Sequence, residues 1–309
     1  MPALTFVIPA YNEGPRLAEG FTRLAPTLDQ WGADDVEIII VDDGSSDDTL
    51  RQAHLVYGHL AGLRVVRHDT NLGKGAALRL GLSLATGDAV ITADADMAIH
   101  PHHAGELVTA LARVDLAPGT RAINGHIRYE QRLRTYAGAL FNRLARHYTG
   151  TTLRDTQCGF KGFRLASARL LALTSLVEGF AFDLEILYLA DRVGLRVEPQ
   201  LVTWDDVEGS SVHVGRDSRR MLRDLRQLRG TRYENPVVTL AADVDLDVVR
   251  RAVASARLHG PVLARGEHDA LIVFSRQGAL GALDVAQTLG ATLRTAKIDE
   301  LRGRAYEAL

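Results

Sequence analysis

The chain has 309 residues, of which 46% are hydrophobic and 24% charged, and a formal net charge of -2. This composition is typical of a soluble globular protein, and the charge gives no reason to expect a nucleic-acid partner. The one cysteine, Cys158, excludes an internal disulfide and fits a reducing cytosol. No apolar stretch approaches the roughly 18 residues that a membrane-spanning helix needs, and no signal-peptide pattern precedes Leu4. We therefore expect a cytoplasmic protein that can lie on a membrane but does not cross it.

The N-terminal part of the chain alternates short apolar runs with segments of helical period. The continuous apolar run Val36–Val41 is typical of a strand buried on both faces. The resulting β-α-β-α-β-α-β order predicts the α/β fold class, with a parallel sheet and right-handed crossovers. The predicted strands span residues 4–8, 36–41, 63–67 and 89–93, and the predicted helices span 15–30, 47–57 and 73–85.

Polar side chains follow these strands at their carboxyl ends, the edge at which open parallel sheets bind ligands. The first cluster is Tyr11-Asn12-Glu13, the second is Asp42-Asp43-Gly44-Ser45, and the third is Asp94-Ala95-Asp96. Because the three clusters share one edge of one sheet, they predict a ligand-binding site there.

Asp94 and Asp96 form the most informative of these clusters. Residues two apart on a strand point to the same face, so the two carboxylates are expected to lie side by side and repel each other. A hard divalent cation, Mg²⁺ or Mn²⁺, would relieve that repulsion. The alternative for an isolated pair of this kind is a solvated turn with two independent acids.

Asp42, Asp43 and Lys74 extend the predicted site. The two carboxylates only accept hydrogen bonds, which suits a ring N–H or a pair of ribose hydroxyls. Lys74 stands at the glycine-rich start of a predicted helix, a position suited to phosphates or to a uracil carbonyl. The segment is not a Walker A loop, because His68 stands where that motif requires its first glycine. A surface lysine is the alternative.

The rest of the chain divides at Thr231–Pro236. Beyond this break the order β-α-β-β-α-β predicts a ferredoxin-like unit, so we expect domains at 1–235 and 236–309. The second domain has no motif with assignable chemistry, which favours a structural or dimerising role. Before the break we predict helices at 137–148, 182–192 and 219–229 and an extended segment at 197–204; after it, strands at 237–241, 262–265, 270–275 and 292–297, and helices at 246–256 and 280–289.

Taken together, the N-terminal motifs resemble the family 2 glycosyltransferases, which have the GT-A fold. The resemblance covers roughly residues 4–233 and rests on the order and spacing of V-I-P-A-Y-N-E, V-D-D-G-S-S-D-D-T, N-L-G-K-G-A-A-L-R-x-G, A-T-G-D and D-A-D-M. It implies a nucleotide-sugar donor and a metal-dependent hexosyl transfer with inversion. Carried over to this chain, the donor-binding residues are Pro9, Tyr11, Glu13, Asp42, Asp43, Lys74 and Asp94, and the metal ligands are Asp94 and Asp96.

Motifs in the second half of this region limit the resemblance to a subgroup of the family. The segment R-D-T-Q-C-G-F-K at 154–161 is similar to that of the dolichyl-phosphate glucosyltransferases, and G-F-A-F-D-L-E at 179–185 resembles their W-A-F-D-x-E. V-T-W-D-D-V-E-G-S at 202–210 resembles their V-x-W-x-E-x-E-G-S, and Gly119-Thr120-Arg121 looks like the family's G-S-R. Related mannosyltransferases have S-G-F-R in place of C-G-F-K. The resemblance therefore implies UDP-glucose rather than GDP-mannose as donor and a polyprenyl phosphate as acceptor.

In such a reaction the departing diphosphate gains negative charge, which the metal, Lys74 and Arg121 would offset. A hydroxyl acceptor needs a general base, for which Asp183 and Asp155 are the candidates, whereas a phosphate acceptor is already an anion. For Glu185, pairing with an arginine of the scaffold is an equal alternative to a role in the site. The residues expected at the acceptor and sugar site are Gln157, Phe160, Lys161 and Arg216.

The chain also departs from the family pattern. Ser211 replaces the lysine of the family's G-S-K, so Arg216 or His213 would have to supply the cation. His213 is also a candidate third metal ligand, with a plain surface histidine as the alternative. From this sequence we expect none of the membrane anchors that are usual in the family.

Two arginine-rich predicted helices bear on the acceptor. They suit an anionic bilayer or a lipid phosphate, which would place the protein peripherally at the inner face of the membrane, although a solvated helix face explains them equally well. The alternative function is a soluble glycosyltransferase that modifies a small-molecule acceptor, with GDP-mannose as an alternative donor. The arginines are Arg132, Arg134, Arg143 and Arg146 in or beside the first helix, and Arg216, Arg219, Arg220, Arg223, Arg226 and Arg229 in or beside the second.

Overall fold

The computed structural model describes residues 2–32, 35–121, 146, 151, 153, 155–205, 228, 231–256, 258 and 260–309. In these residues a main sheet of seven strands has the order β3-β2-β1-β4-β6-β5-β7. Its strands are β1 (Leu4–Ala10), β2 (Val36–Asp42), β3 (Leu63–Arg67), β4 (Ala89–Thr92), β5 (Leu116–Arg121), β6 (Lys161–Arg164) and β7 (Gln200–Val202). The four strands predicted from the N-terminal part are confirmed.

Helices cover both faces of this sheet, because its central strands are apolar on both sides. Along β2, Ile38 and Ile40 join one hydrophobic cluster while Ile39 and Val41 join the other, as the continuous apolar run predicted. The helices α1 (Gly14–Trp31), α2 (Thr49–Tyr57) and α4 (Ala104–Leu111) pack on the first face, and α3 (Lys74–Leu84), α5 (Leu165–Thr174) and α6 (Phe182–Val193) pack on the second.

Strand β6 is antiparallel to its neighbours, so its first residue lies at the carboxyl edge of the parallel strands and its last residue lies at the opposite edge. Strands β1, β2, β3 and β4 are mutually parallel, whereas β6 is antiparallel to β4 and β5. In the β4–β6 register, Thr92 faces Lys161 and Ala89 faces Arg164. Lys161 therefore lies at the carboxyl edge of the parallel strands, and Arg164 lies at the opposite edge.

A second, antiparallel sheet follows, with the order β11-β8-β10-β9-β12. Its first four strands in chain order and two helices have the predicted β-α-β-β-α-β arrangement, and β12 extends the sheet beside β9. The elements are β8 (Glu234–Ala241), α7 (Leu246–Ser255), β9 (Val262–Arg265), β10 (Asp269–Val273), α8 (Ala279–Thr288), β11 (Thr292–Lys297) and β12 (Ala305–Ala308).

The C-terminal sheet shares a hydrophobic core with the main fold. Val237, Leu271 and Val273 belong to the same cluster as buried side chains of α5 and α6. Val238 and Ile272, on the opposite face, pack beneath α7 and α8. Because strand side chains alternate between faces, one apolar face is buried against the main fold and the other against the unit's own helices.

Helices α4 and α5 and strands β5 and β12 were not predicted from the sequence, whereas α6 and β7 agree with the predicted helix at 182–192 and extended segment at 197–204. Helix α5 is buried almost all round, so it lacks the polar stripe by which a surface helix is recognised. The predicted helices at 137–148 and 219–229 lie outside the described residues apart from Arg146 and Leu228. Within the described part of the chain, no helix combines the length and the hydropathy that crossing a membrane requires.

Candidate active site

The loops after β1 and β2 are joined to each other by hydrogen bonds. The Asn12 amide donates to Ser45 Oγ at 3.0 Å, and the Glu13 amide donates to Thr49 Oγ1 at 2.8 Å. Asn12 has a left-handed backbone with φ 54°, which asparagine tolerates better than most residues. Tyr11, in the loop after β1, is exposed, and Pro9, near the end of β1, is half-buried.

Asp42 and Asp43 are adjacent in sequence but have different surroundings. Both oxygens of Asp43 are used by the protein: it lies 2.7 Å from His68 Nδ1 and accepts from Asn71 Nδ2 and from the Leu72 and Gly73 amides. Asp42 accepts from the Ser45 amide through Oδ1, whereas its buried Oδ2 has no hydrogen-bond partner and lies 3.5 Å from Arg67 Nε in an ion pair. Asp43 therefore fixes the loop before α3, and Asp42 keeps an acceptor for a ligand.

Lys74 begins α3 and points its ammonium group into a cluster of acids. Its Nζ lies 2.6 Å from Asp94 Oδ1 and 3.7 Å from Asp183 Oδ2. Desolvation opposes the charge, but Asp94 and Asp183 outweigh it and raise the pKa of Lys74, so the cation persists. The Gly75 and Ala76 amides donate to the Glu178 carbonyl. The contribution of this helix start to an anion would therefore come from the lysine side chain rather than from those two amides.

Asp94 and Asp96 lie in a turn after β4 rather than on the strand itself. The Met97 amide donates to the Asp94 carbonyl at 3.0 Å, and Met97 has φ 47°. This corrects the strand-face arrangement expected from their spacing, because β4 ends at Thr92. The turn is held close to α1, where a Cβ on Gly20 would lie 2.1 Å from the Ala95 carbonyl oxygen.

The carboxylates of the turn are electrostatically coupled. Desolvation opposes the charge of Asp94, but Lys74 and, more weakly, Lys161 and Arg121 hold the pKa of Asp94 below its usual range. Desolvation and the nearby Asp94 raise the pKa of Asp96. Desolvation also raises the pKa of Glu13 despite its ion pair with Arg16 at 2.9 Å, and repulsion from Asp96 and Asp94 adds to the shift. Together these three carboxylates carry more negative charge than Lys74 neutralises.

This excess charge fits a divalent cation. Asp94 Oδ2 and Asp96 Oδ2 have no hydrogen-bond donor among the described residues, and carboxylate oxygens are the ligands that Mg²⁺ and Mn²⁺ prefer. The described residues contain no group of three or more acidic, histidine or cysteine side chains arranged to hold a metal. The pair would thus need further oxygens from a bound diphosphate. The predicted third ligand, His213, lies outside the described residues.

Arg121 and Asp155 form an ion pair beside this acidic turn. Asp155 accepts from Arg121 Nε at 2.7 Å and Nη2 at 2.9 Å, and also from the Gln157 amide. Although desolvation opposes it, Arg121 keeps the pKa of Asp155 below its usual range. Such a carboxylate is a poor base. Next to the pair, Gln157 Nε2 is buried without a hydrogen-bond partner, so this predicted sugar or acceptor residue retains a free donor.

Asp183 is held between two ammonium groups. Lys161 is buried and donates to Asp183 Oδ1 and to the Cys158 carbonyl, and Lys74 approaches from the cleft. The placement of Lys161 corrects its prediction as an acceptor-site residue, since burial leaves it as the counter-ion of Asp183. Phe160, predicted to shape the same site, is 1% exposed and lies in the hydrophobic core. Arg216 lies outside the described residues.

Two further residues of the site were not identified from the sequence. A Cβ on Gly159 would lie 2.7 Å from Asp94 Oδ2, so only glycine leaves room for that carboxylate. The Glu178 carbonyl caps the start of α3, as described for Lys74. The glycine of C-G-F-K was visible in the sequence, but its proximity to Asp94 depends on the pairing of β4 with β6.

Glu185 supports this cap from behind. Its carboxylate accepts from the Leu176 and Val177 amides, both at 2.9 Å, and from Tyr233 Oη at 2.9 Å. It makes no ion pair with a described arginine, contrary to the alternative raised from the sequence. Tyr233 directly precedes β8, so the C-terminal part of the chain reaches the turn that positions Lys74.

Fold and site together define a class of protein. A mostly parallel sheet, with a polar carboxyl edge and a coupled pair of aspartates after the fourth strand, is the architecture of the GT-A glycosyltransferases. The model of the family described as Glycosyl transferase family 2 matches residues 5–171. The chain therefore belongs to glycosyltransferase family 2 and is a glycosyltransferase.

Sequence relatives narrow the comparison. The chain is 35% identical over 238 residues to the dolichyl-phosphate beta-glucosyltransferase of Drosophila melanogaster, covering 72% of this chain and 73% of the relative. It is 33% identical over 225 residues to the enzyme of the same description from Homo sapiens, covering 68% and 69%.

Solved structures agree on the fold. Glucosyl-3-phosphoglycerate synthase from Mycobacterium tuberculosis, in complex with Mn²⁺, UDP and glucosyl-3-phosphoglycerate, matches with a TM-score of 0.56 at 23% identity. The match covers 74% of this chain and 80% of the synthase. At this identity the likeness establishes the GT-A fold of the chain.

Proposed function

We propose that this protein is a metal-dependent, inverting glycosyltransferase that transfers glucose from UDP-glucose to a polyprenyl phosphate at a membrane surface. The relatives that support the sugar and the acceptor are dolichyl-phosphate beta-glucosyltransferases. The solved neighbours that support the donor and the metal were determined with UDP and with Mn²⁺ or Mg²⁺.

Asp42 supports the nucleotide part of the proposal. Its Oδ2 is buried and has a 3.5 Å ion pair with Arg67 but no hydrogen-bond partner, so it can accept a hydrogen bond from a ligand. A uracil ring offers an N–H group of this kind. Tyr11 and Pro9 border the same edge and offer apolar surface to the ring.

The acidic turn supports the metal part. Asp94 and Asp96 would hold the cation, which when bound offsets the negative charge of the departing diphosphate. Lys74 remains protonated and adds a second positive charge beside it. Arg121 contributes a third cation within electrostatic reach of Asp94. These three groups favour the departure of a diphosphate.

The observation that carries the acceptor proposal is the pairing of both candidate bases. Asp155 is bound to Arg121, and Asp183 lies between Lys161 and Lys74. Neither carboxylate is free to take a proton from a hydroxyl acceptor. A phosphate acceptor needs no such base, because its oxygen is already negatively charged. The cations around the cleft also attract it.

The acceptor is tested with two lipids that differ only in the phosphate. Purified protein is incubated with UDP-[¹⁴C]glucose and Mn²⁺ in the presence of undecaprenyl phosphate or undecaprenol. We expect label in the organic phase with the phosphate only. Label that stays in the aqueous phase, or equal transfer to undecaprenol, would remove the acceptor proposal.

The donor is tested by calorimetry with UDP and GDP, each with and without Mn²⁺. We expect UDP to bind more tightly than GDP and to need Mn²⁺ for full affinity. Asp42→Asn should reduce the preference for UDP, because the amide presents a donor where an acceptor is required. Equal binding of UDP and GDP, independent of Mn²⁺, would contradict the proposed donor site.

A further inference from the structure

A second concave site lies at the opposite edge of the main sheet, between the main fold and the C-terminal strand β12. Its volume is 340 Å³. The walls come from the end of β6, the first turn of α5, the C-terminal cap of α6 and the turn that leads into β12. A cavity of this size is at the lower end of the range of about 300–1,000 Å³ for small-molecule sites.

Arginine side chains predominate among the charged residues that line this cavity. Arg164, Arg196 and Arg304 line it together with one acid, Asp115. Asp115 is already neutralised, because Arg196 holds both of its oxygens at 3.0 Å. Each guanidinium also keeps one terminal nitrogen without a hydrogen bond to a described residue: Nη1 of Arg164, Nη1 of Arg196 and Nη2 of Arg304.

The first turn of α5 contributes donors to the same cavity. No side chain caps this ten-residue helix, and first-turn amides have no partner within a helix. The Ala166 and Ser167 amides donate to no described group outside it. Ser167 is 3% exposed and lines the cavity, and its hydroxyl makes no hydrogen bond to a described residue. The Ser167 hydroxyl can therefore hydrogen-bond a ligand in the cavity.

We propose that this cavity binds the phosphate group of a small phosphate monoester, or inorganic phosphate, at a site separate from the catalytic cleft. The phosphate accepts hydrogen bonds from the α5 amides and the Ser167 hydroxyl, as anions do at helix N-termini. The free nitrogens of the three arginines supply charge-assisted donors. The volume leaves room for an organic group about the size of a monosaccharide.

The site gives the C-terminal part of the chain a role in ligand binding. Arg304 belongs to the turn before β12 and is held in place by Asp269, at 2.7 Å. The cavity wall formed by Gly303 to Tyr306 is not part of the main sheet. The site is also far from the cleft: α6 carries Asp183 at one end and reaches the cavity at Gly194, and its 12 residues span about 18 Å.

Binding is tested by calorimetry with inorganic phosphate and with glucose 6-phosphate at constant ionic strength. Arg196→Gln and Ser167→Ala remove a cation and a donor, and we expect Arg196→Gln to weaken phosphate binding by about tenfold or more. Arg113→Gln is the matched control, because Arg113 and Arg196 are 61% and 60% exposed and each pairs with an acid at 3.0 Å. Arg113→Gln should leave phosphate binding unchanged.

A second control separates the cavity from the catalytic cleft. Lys74→Gln removes the cleft cation, so phosphate binding that survives in Lys74→Gln and is weakened in Arg196→Gln and Ser167→Ala supports the proposal. Tighter binding of glucose 6-phosphate identifies a phosphorylated metabolite, and equal binding identifies inorganic phosphate. The proposal is overturned if neither ligand binds, if Lys74→Gln abolishes binding, or if both cavity variants bind as the wild type does.

Discussion

Charged residues at the carboxyl edge of the main sheet and charged residues in the C-terminal sheet are partnered differently. In the C-terminal sheet the charges are matched in pairs, such as Arg265 with Glu307 at 2.8 Å and Arg294 with Glu300 at 2.7 Å. At the carboxyl edge, burial raises the pKa of Glu13 and of Asp96, and repulsion from Asp94 adds to both shifts. Charges that are paired within the protein stabilise the fold at little cost. Unpaired charges are typical of a site where a bound ligand supplies the partner.

The largest effect is expected from removing one unmatched charge. Asp96→Asn should reduce sugar transfer by about 10²–10³-fold or more, because the variant loses charge that stabilises the departing diphosphate through the cation. Transfer is measured as UDP release with UDP-glucose, and circular dichroism checks the fold.

Asp299→Asn is the control for that loss. Asp299 pairs with Arg192 at the surface of the C-terminal part, so its removal should leave transfer close to wild type. If Asp96→Asn kept full transfer, the unmatched carboxylates would have no part in the reaction.

The next effect concerns stability at the buried pair of Lys161 and Asp183. Lys161→Met should lower the free energy of unfolding by about 3–5 kcal/mol, because it leaves Asp183 buried between fewer cations. Arg192→Met, which breaks the exposed pair with Asp299, should cost only about 0–1 kcal/mol. Urea unfolding of both variants measures the difference, and equal losses would contradict the burial argument.

Measuring the stability of wild type and Asp155→Asn over a range of pH tests the contribution of the ion pair between Asp155 and Arg121. Asp155→Asn should cost about 1.5–3 kcal/mol at pH 7, since it breaks a charged, mostly buried hydrogen-bonded pair. The folded pKa of Asp155 is lowered below 3.8, so this stability is present above the unfolded pKa and is lost as pH falls through the folded one. The difference between wild type and variant should therefore shrink below about pH 4.

Glu300→Gln provides the C-terminal counterpart. The Lys297 amide and Arg294 lower the pKa of Glu300, so its effect has the same sign, but its greater exposure should make the effect smaller. A loss in Asp155→Asn that grows on acidification would contradict the sign of the shift.

The smallest effect tests the link between the two regions. Tyr233→Phe removes one of three donors to buried Glu185 and should cost about 1 kcal/mol. If Glu185 positions Lys74 through the 176–178 turn, the KM for UDP-glucose should also rise. Tyr306→Phe, which removes a hydroxyl bonded to backbone carbonyls far from the cleft, should lower stability without changing KM. Identical kinetics in both variants would leave Tyr233 a purely structural role.

The predictions that rested on local pattern agree closely with the structure. The apolar runs at 36–41 and 63–67 became β2 and β3, and the segment after Thr231 adopted the expected ferredoxin-like order. The prediction failed where environment matters more than pattern. Phe160 and Lys161 belong to a motif that resembles an active-site segment, but the antiparallel pairing of β6 places both in the interior.

The sequence by itself determined the family, the order of the elements and the edge of the sheet at which the polar side chains gather, because these follow from periodicity and from motifs along the chain. Only the tertiary structure decided how the charges are partnered. It paired Asp155 with Arg121 and Asp183 with Lys161, left Asp42 Oδ2 without a hydrogen-bond partner, and assembled the cavity of three arginines. These contacts join residues far apart in the chain, so their energies depend on distances and burial that no local pattern records.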